Sequence, residues 1–457
     1  MSDLSQLPLP SSQYQNENSR LRLLVMSNGH GEDVIAVRIL QELQQQPNPP
    51  EIVALPIVGE GHAYHQLDIP IIGSVRTMPS GGFIYMDGRQ FMRDVQGGLL
   101  QLTLEQIKAI RNWVKTQKRL GYKNAVLAVG DIVPLLFASL SETNYAFVGT
   151  ARSEYYVRDE IGILKRKNQA TWLEHFSGSV YHPWERWLMS RPRCKAVFPR
   201  DTLTSEILTN FSVPAFDMGN PMMDGLEPSF STQRFYNFDA EQQELVRPFV
   251  VTLLPGSRPP EAYNNWHQII IAISTVMELF QERDFIGHSS KTVVFLGAIA
   301  PSLHFESMRQ MLEAQGWRPH AGTPVKIADK NAVSFKQLNA YVVLTQDAYN
   351  DCLHMADLAI AMAGTATEQF VGLGKPAIIF PGKGPQFTAS FAEAQSRLLG
   401  PSVILIQEPG ATASVVRSLL YNPDTLQDIA ENGVRRMGKP GAARRIADCL
   451  IEQLSQE

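Results

Sequence analysis

The stretch DLAIAMAGTATEQFVGLGKPAIIFPG, residues 357–382, decides the fold. Its first part, DLAIAMAG at 357–364, is an apolar run of the kind that forms a strand buried on both faces. At Gly364-Thr365-Ala366-Thr367-Glu368-Gln369 the pattern becomes that of a helix start, and Gly372 or Gly374 ends the helix. A second apolar run, PAIIFPG at 376–382, is the next strand. Strand, tight turn, helix and strand make one unit of a parallel α/β sheet.

The same alternation runs outward in both directions. Upstream, PFVVTLLPG (248–256), TVVFLGAI (292–299) and AYVVLTQ (340–346) read as strands, with a helix predicted over Ile269–Phe280. Downstream, SVILI (402–406) is a strand and the last fifty residues read as helical. Residues 217–247 are turn-rich and mark a domain boundary. Before it the pattern begins afresh. LRLLVMS (21–27), EIVALPIVG (51–59), IPIIGSV (69–75), NAVLAVGD (124–131) and YAFVGT (145–150) read as strands. Helical spacing runs through Val34, Ile35, Ile39 and Leu40, and again from Leu99 to Val114. The expectation is a solvated tail at 1–19, a doubly wound domain at 20–225 and another at 226–457.

Composition excludes several classes. The chain has 457 residues, 44% of them hydrophobic and 19% charged, which is too apolar and too mixed for a disordered protein. A net charge of -4 and a pI near 6.2 argue against nucleic acid as a partner. Cys194, Cys352 and Cys449 lie far apart, which excludes a disulfide scaffold or a thiolate zinc site and fits a reducing compartment. No apolar run reaches the ~20 residues that span a bilayer, and the expected location is cytoplasmic. Residues 151–200 hold ten Lys and Arg against five Asp and Glu, with Tyr155, Tyr156, Trp172, Phe176, Tyr181, Trp184 and Trp187 among them. Aromatic and basic residues so mixed suit either a membrane surface, docked through 151–195, or an ordinary solvated face.

Ligands of open α/β sheets bind where strands end and helix N-termini begin, so those turns hold the candidate sites. The first is Ser27-Asn28-Gly29-His30-Gly31-Glu32-Asp33. Gly29 and Gly31 permit a tight turn or close ligand approach. The acidic partner of a dinucleotide ribose is missing after the second strand. His30 in this turn suits general-base work. Asp33 is either a catalytic carboxylate or a helix cap. Asp131, at the end of an apolar strand, is either a crevice carboxylate or an N-cap. In Leu254-Pro255-Gly256-Ser257-Arg258, Gly256 permits approach, Ser257 donates and the Arg258 fork matches phosphate oxygens, unless Arg258 merely pairs with Glu261. At 364–369, the backbone amides around Gly364 and Ala366, with the Thr365 and Thr367 hydroxyls, form a diphosphate cradle. Glu368 can accept from both ribose hydroxyls or serve as a capping-box carboxylate. Gln386, in the turn Pro381-Gly382-Lys383-Gly384-Pro385-Gln386, adds a polar rim. No D-x-D pair occurs in the chain, which disfavours a divalent-metal sugar-nucleotide site, and no metal or cofactor is expected.

LLPGSRPPE (253–261), AVFPRDTLTSEILTNFSVPAFDMGNPMMDGL (196–226) and ADLAIAMAGTATEQFVGLGKPAIIF (356–380) resemble the lipid-A-disaccharide synthases, most nearly the divergent group related to them. The resemblance implies a GT-B glycosyltransferase. It would have two Rossmann-like domains facing a cleft, C-terminal helices packing back across the domains, a UDP-sugar held mainly by the C-terminal domain, and a lipid or lipid-linked acceptor held by the N-terminal one. Carried over by position, Ser257, Arg258, Thr365 and Thr367 would meet the diphosphate and Glu368 the ribose, while Asp33 falls on the acidic residue of the family's first turn. The chain departs from the synthases after Asp131, where Pro134, Leu135 and Leu136 replace a second carboxylate. Its first turn is more similar to that of galactolipid synthases and of the peptidoglycan glycosyltransferase acting on lipid I.

The reading is an inverting, metal-independent transferase, peripheral on the inner face of a membrane, with His30 as the first candidate base and Asp131 or Asp33 orienting or replacing it. A UDP-sugar 2-epimerase and a non-catalytic sugar-nucleotide binder are the alternatives.

Overall fold

The computed structural model describes residues 20–29, 31–75, 99–164, 177–230, 247–282, 285 and 291–455. The expected tail at 1–19, His30 and residues 165–176 lie outside them. The chain divides into two compact units, Met1–Asp224 with Pro440–Glu457, and Gly225–Lys439.

The first unit contains β1 (Arg22–Ser27), α1 (Gly31–Gln44), β2 (Glu51–Pro56), α2 (His62–His65), α3 (Leu99–Arg119), β3 (Asn124–Gly130), α4 (Ile132–Ser139), β4 (Asn144–Gly149), α5 (Pro183–Met189), β5 (Cys194–Phe198) and α6 (Thr202–Asn210). The strands form one parallel sheet in the order β2-β1-β3-β4-β5. Alternate residues of β1 feed different cores: Leu23 and Val25 pack with Ile39 and Leu40 of α1, whereas Leu24 and Met26 pack with Leu102 and Ile110 of α3. That two-sided burial is why its sequence is an unbroken apolar run. The strand expected at 69–75 is only a single bridge, Ile71 to Ala54. Pro70 has no N–H to give and Gly73 turns with φ 76°, so the pairing stops after one residue.

The second unit contains β6 (Phe249–Leu254), α7 (Glu261–Leu279), β7 (Val293–Ala298), α8 (Phe305–Ala314), β8 (Arg318–His320), β9 (Val333–Gln337), β10 (Ala340–Thr345), α9 (Tyr349–Met355), β11 (Leu358–Ala361), α10 (Thr365–Gly372), β12 (Ala377–Ile379), α11 (Ala389–Leu399), β13 (Val403–Leu405), α12 (Thr412–Tyr421) and α13 (Pro423–Met437). Its sheet runs β13-β12-β11-β6-β7-β10-β9-β8. The first six in that order are parallel, and β9 and β8 add an antiparallel edge. Helix α7 begins eight residues before the predicted Ile269.

The C-terminal helix α14 (Ala442–Ser455), expected within a domain 226–457, belongs to the first unit. Ile446, Leu450 and Leu454 join the core of Leu23 and Val25. Asp224 anchors its start by accepting from the N–H groups of Gly441, Ala442 and Ala443 at 2.5, 3.1 and 2.7 Å. A carboxylate on the first amides of a helix satisfies orphan donors and meets the positive end of the helix dipole.

Candidate functional site

Both sheets reverse strand order at one place, and the end of the sheet there is where open α/β folds hold ligands. In the second unit the reversal lies between β6 and β11. The turns that follow β6, β11 and β12 therefore emerge side by side. They are the three turns picked out in the sequence around Gly256, Gly364 and Gly382.

Asn265, on α7, ties the first two together: its Nδ2 donates to the Pro255 carbonyl at 3.0 Å and to that of Met362 at 3.4 Å. Gly256 has φ 93°, and a Cβ there would lie 3.2 Å from the Met362 carbonyl oxygen, so the turn requires glycine. Ser257 beside it is exposed. Burial pulls the half-buried Arg258 guanidinium below its ordinary value, and the charge of Glu261 opposes that shift. Glu261 has a larger structural part. Its Oε1 accepts from Phe387 N–H at 2.6 Å, and its two oxygens accept from Gln386 N–H at 3.3 and 3.1 Å, so it fixes the third turn and positions Gln386.

Gly364 caps α10, with Thr365 exposed and Ala366 half-buried in its first turn. The first N–H groups of a helix have no partner within it. Thr367 differs from expectation: its side chain is buried, and its hydroxyl donates to the Ala363 carbonyl at 2.6 Å one turn back. That backward bond is the common fate of a threonine inside a helix, and it commits the hydroxyl proton within the helix. Glu368 is 8% exposed in the first helical turn. Gln395, from α11, supports the turn by donating to the carbonyls of Ala363 and Gly364 at 3.1 and 3.2 Å.

In the first unit the reversal lies between β1 and β3. Gly29 turns with φ 96° and passes so close under Val58 that a Cβ would sit 2.9 Å from its carbonyl oxygen. Gly31, exposed, opens α1. Asp33 turns inward: it is 6% exposed and accepts from Ser27 Oγ at 2.5 Å, while Ser27 also meets the Tyr64 hydroxyl. Of the two alternatives for Asp131, the N-cap is the one seen. It caps α4 by accepting from Val133 N–H at 2.8 Å, and its other oxygen accepts from Asn28 Nδ2 at 3.1 Å. Burial raises the Asp131 carboxyl above the usual carboxylate range, and the Val133 N–H and the Arg152 charge oppose that rise.

A further carboxylate, Glu32, completes this end. It accepts from Thr150 Oγ1 at 3.1 Å, and its Oε1 would lie 3.1 Å from a Cβ placed on Gly130. Burial first, then the charge of Asp131, push its carboxyl up to about 8. Among the described residues no three or more His, Cys, Asp and Glu side chains gather as a metal site, and no helix is long and apolar enough to cross a membrane.

No protein-family model matches this sequence, and no curated protein does. Solved structures do match. A putative UDP-N-acetylglucosamine 2-epimerase from Listeria monocytogenes is 14% identical, with 95% of this chain and 97% of that one covered at a TM-score of 0.51. MurG from Acinetobacter baumannii is 16% identical, with 95% and 99% covered, also at 0.51. The UDP-GlcNAc 2-epimerase from Neisseria meningitidis bound to UDP-GlcNAc is 13% identical, with 94% and 100% covered, at 0.50. The fold is that of the GT-B enzymes.

Within that GT-B fold, the sequence reading missed Glu32, Asn28, Thr150, Glu261 and Asn265. Glu32 and Asn28 stood inside a turn already singled out, but their partners Thr150 and Asp131 are 118 and 103 positions away. Glu261 had one signal, its place three residues after Arg258, and was read only as a partner for that arginine.

Proposed function

We propose that the protein is a glycosyltransferase that moves a hexose, of the N-acetylglucosamine type or another, from a UDP-sugar to a hydroxyl on a lipid or lipid-linked acceptor. One observation carries the reading: the turns after β6, β11 and β12 converge at the strand reversal of the second unit, with the N-terminus of α10 among them. That arrangement suits a nucleoside diphosphate. Helix N-termini attract phosphate, and Ser257 and Arg258 supply a hydroxyl and a fork for its oxygens. Glu368 would take the ribose hydroxyls, and Gln386 would line the rim. Stabilising the departing UDP is the largest electrostatic task of such a transfer, and here it falls to Arg258 and the first turn of α10. The chemistry needs no metal.

The acceptor belongs to the first unit, at the ends of β1 and β3. Asp33 is engaged by Ser27; His30, which lies outside the described residues, and Asp131 stay the candidates that activate its hydroxyl. Peripheral docking on a membrane through 151–195 is part of the proposal. Trp184 and Trp187 of α5 are 48% and 59% exposed, and the Arg191 guanidinium lies 4.4 Å over the Trp187 ring. Exposed tryptophan beside arginine suits a lipid headgroup layer.

Titration of UDP, UDP-N-acetylglucosamine, UDP-glucose and UDP-galactose by calorimetry tests the nucleotide site. Wild type is expected to bind UDP, and Glu368→Ala to bind it more weakly by ~1 kcal/mol or more, the scale of a hydrogen bond to a charged group. Absence of binding to every uridine nucleotide refutes the reading. A 2-epimerase, the activity named for two of the structures above, is the second reading. It requires turnover of UDP-N-acetylglucosamine with no acceptor present.

A further inference from the structure

We propose that Glu32, with Asp131 beside it, is the base that takes the proton from the attacking hydroxyl. The inference rests on the transferase reading and names the group that reading leaves open. In the step, the acceptor O–H gives its proton to the Glu32 carboxylate as the acceptor oxygen bonds to the sugar anomeric carbon. The bond from that carbon to the UDP oxygen breaks, and UDP leaves with the electron pair. The proton passes afterwards from Glu32 to water.

Three features place the site. Glu32 stands at the strand reversal of the first unit, over the end of β3, with no side chain at Gly130 to shield it. Thr150, at the end of β4, holds one carboxylate oxygen by a single bond, so lone pairs remain for a substrate proton. Asn28 is the independent pointer to a ligand. It is 5% exposed, its Nδ2 is committed to Asp131, and its Oδ1 is buried without a hydrogen-bond partner among the described residues. A buried amide oxygen without a donor costs free energy, and a ligand hydroxyl at Asp131 would supply one.

The charged surroundings suit a base that works near neutral pH. Burial raises Glu32 most and the Asp131 charge raises it further, the Thr150 hydroxyl opposes them, and Asp33 adds the smallest rise. Arg152, which forms an ion pair with the buried Glu185 at 3.2 Å, tempers Asp131. Substitutions on two neighbouring elements therefore move the working range in opposite directions. Asp131→Asn removes a like charge, and Thr150→Val removes the stabilising donor.

The test measures UDP release from UDP-N-acetylglucosamine, UDP-glucose and UDP-galactose by the full chain. Water and a diacylglycerol in detergent micelles serve as hydroxyl probes, and UDP affinity is measured alongside. Glu32→Gln is expected to lower kcat by about 100-fold or more, the lower end for loss of a general base, with UDP affinity unchanged and the chain still folded. The wild-type rate is expected to rise with pH to a plateau with an apparent midpoint near 8. That midpoint belongs to the carboxylate pair. It should move to lower pH in Asp131→Asn and to higher pH in Thr150→Val, shifts that a merely structural Glu32 would not give. Glu32→Gln turnover within threefold of wild type overturns the inference, as does a rate limb that neither neighbour moves. A wild type that binds UDP yet releases none from any UDP-sugar with either probe overturns it too, leaving the nucleotide site standing. Failure to bind UDP instead removes the transferase reading itself, and the inference with it.

Discussion

Replacing Glu261 with alanine is expected to destabilise the second unit by about 2–4 kcal/mol and to weaken UDP binding as well. The carboxylate is 6% exposed and receives the N–H of Phe387 at 2.6 Å and that of Gln386 at 3.1 and 3.3 Å. A hydrogen bond to a charged group contributes about 1.5–3 kcal/mol net. Phe387 is buried, so its N–H would lose its one acceptor among the described residues and fall at the upper end of that range. Gln386 is half-buried, so water can replace the lost oxygen and its share is small. Alanine also relieves the cost of holding a carboxylate away from water, which keeps the total below the sum of two maxima. Glu261→Gln keeps one acceptor oxygen and the shape, and is expected to lose about half as much.

Urea unfolding reads the effect, followed by the fluorescence of Trp266 and Trp317, both fully buried in the second unit. With a slope of about 1–3 kcal/mol/M, the midpoint should fall by about 0.7 M or more. Calorimetry on the same samples should show weaker UDP binding, because the turn that carries Gln386 is no longer held. A midpoint within about 0.3 M of wild type would show that the Gln386 and Phe387 amides find other acceptors, and that Glu261 does not fix the turn.

Two further outcomes are expected. The Glu32 carboxyl keeps its proton up to about pH 8 in the folded chain, against 4.5 for the ordinary group. Its contribution is fully present below pH 4.5 and is lost as the pH rises through 8. Wild type should therefore lose more stability than Glu32→Gln between pH 5 and pH 8.5 in urea titrations, and parallel profiles for the two would refute the raised value. Leu450, 1% exposed on α14, packs with Leu23 and Val25 of β1. Leu450→Ala should cost the first unit about 2–5 kcal/mol while the Trp266 and Trp317 signal of the second unit is unmoved. A loss below about 1 kcal/mol would mean that the C-terminal helix is not part of that core.

The parts of this chain that were legible in its sequence are those whose structure is set locally. Strands β1, β3, β6, β10 and β11 are covered on both faces, so each is an uninterrupted apolar run. The run at 69–75 has the same composition and fails because Pro70 and Gly73 deny it a ladder. Strand β8 escaped notice for the opposite reason. Arg318, Pro319 and His320 are all exposed, and an edge strand facing water has no apolar signature. Helix α14 was visible as a helix, but nothing in its own residues says which unit supplies its partner. Asp224, which holds its first turn, is 217 positions from Gly441.

The same division separates the two candidate sites. A glycine turn at the end of a strand is written in consecutive residues, so the turns at Gly256 and Gly364 can be found by spacing alone. A base is defined by the energy of its proton, and that energy depends on neighbours. For Glu32 the largest influence is burial, and the next is Asp131. Neither is written near residue 32. The adjacent Asp33 has the same charge and a similar place in the turn, yet it faces inward to Ser27. Only the fold, by carrying the ends of β3 and β4 to the end of β1, tells the two carboxylates apart. If Glu32 does its proposed work, its chemistry is therefore a property of the sheet order, and an acidic residue moved to that turn in a chain lacking Asp131 and Thr150 would not acquire it.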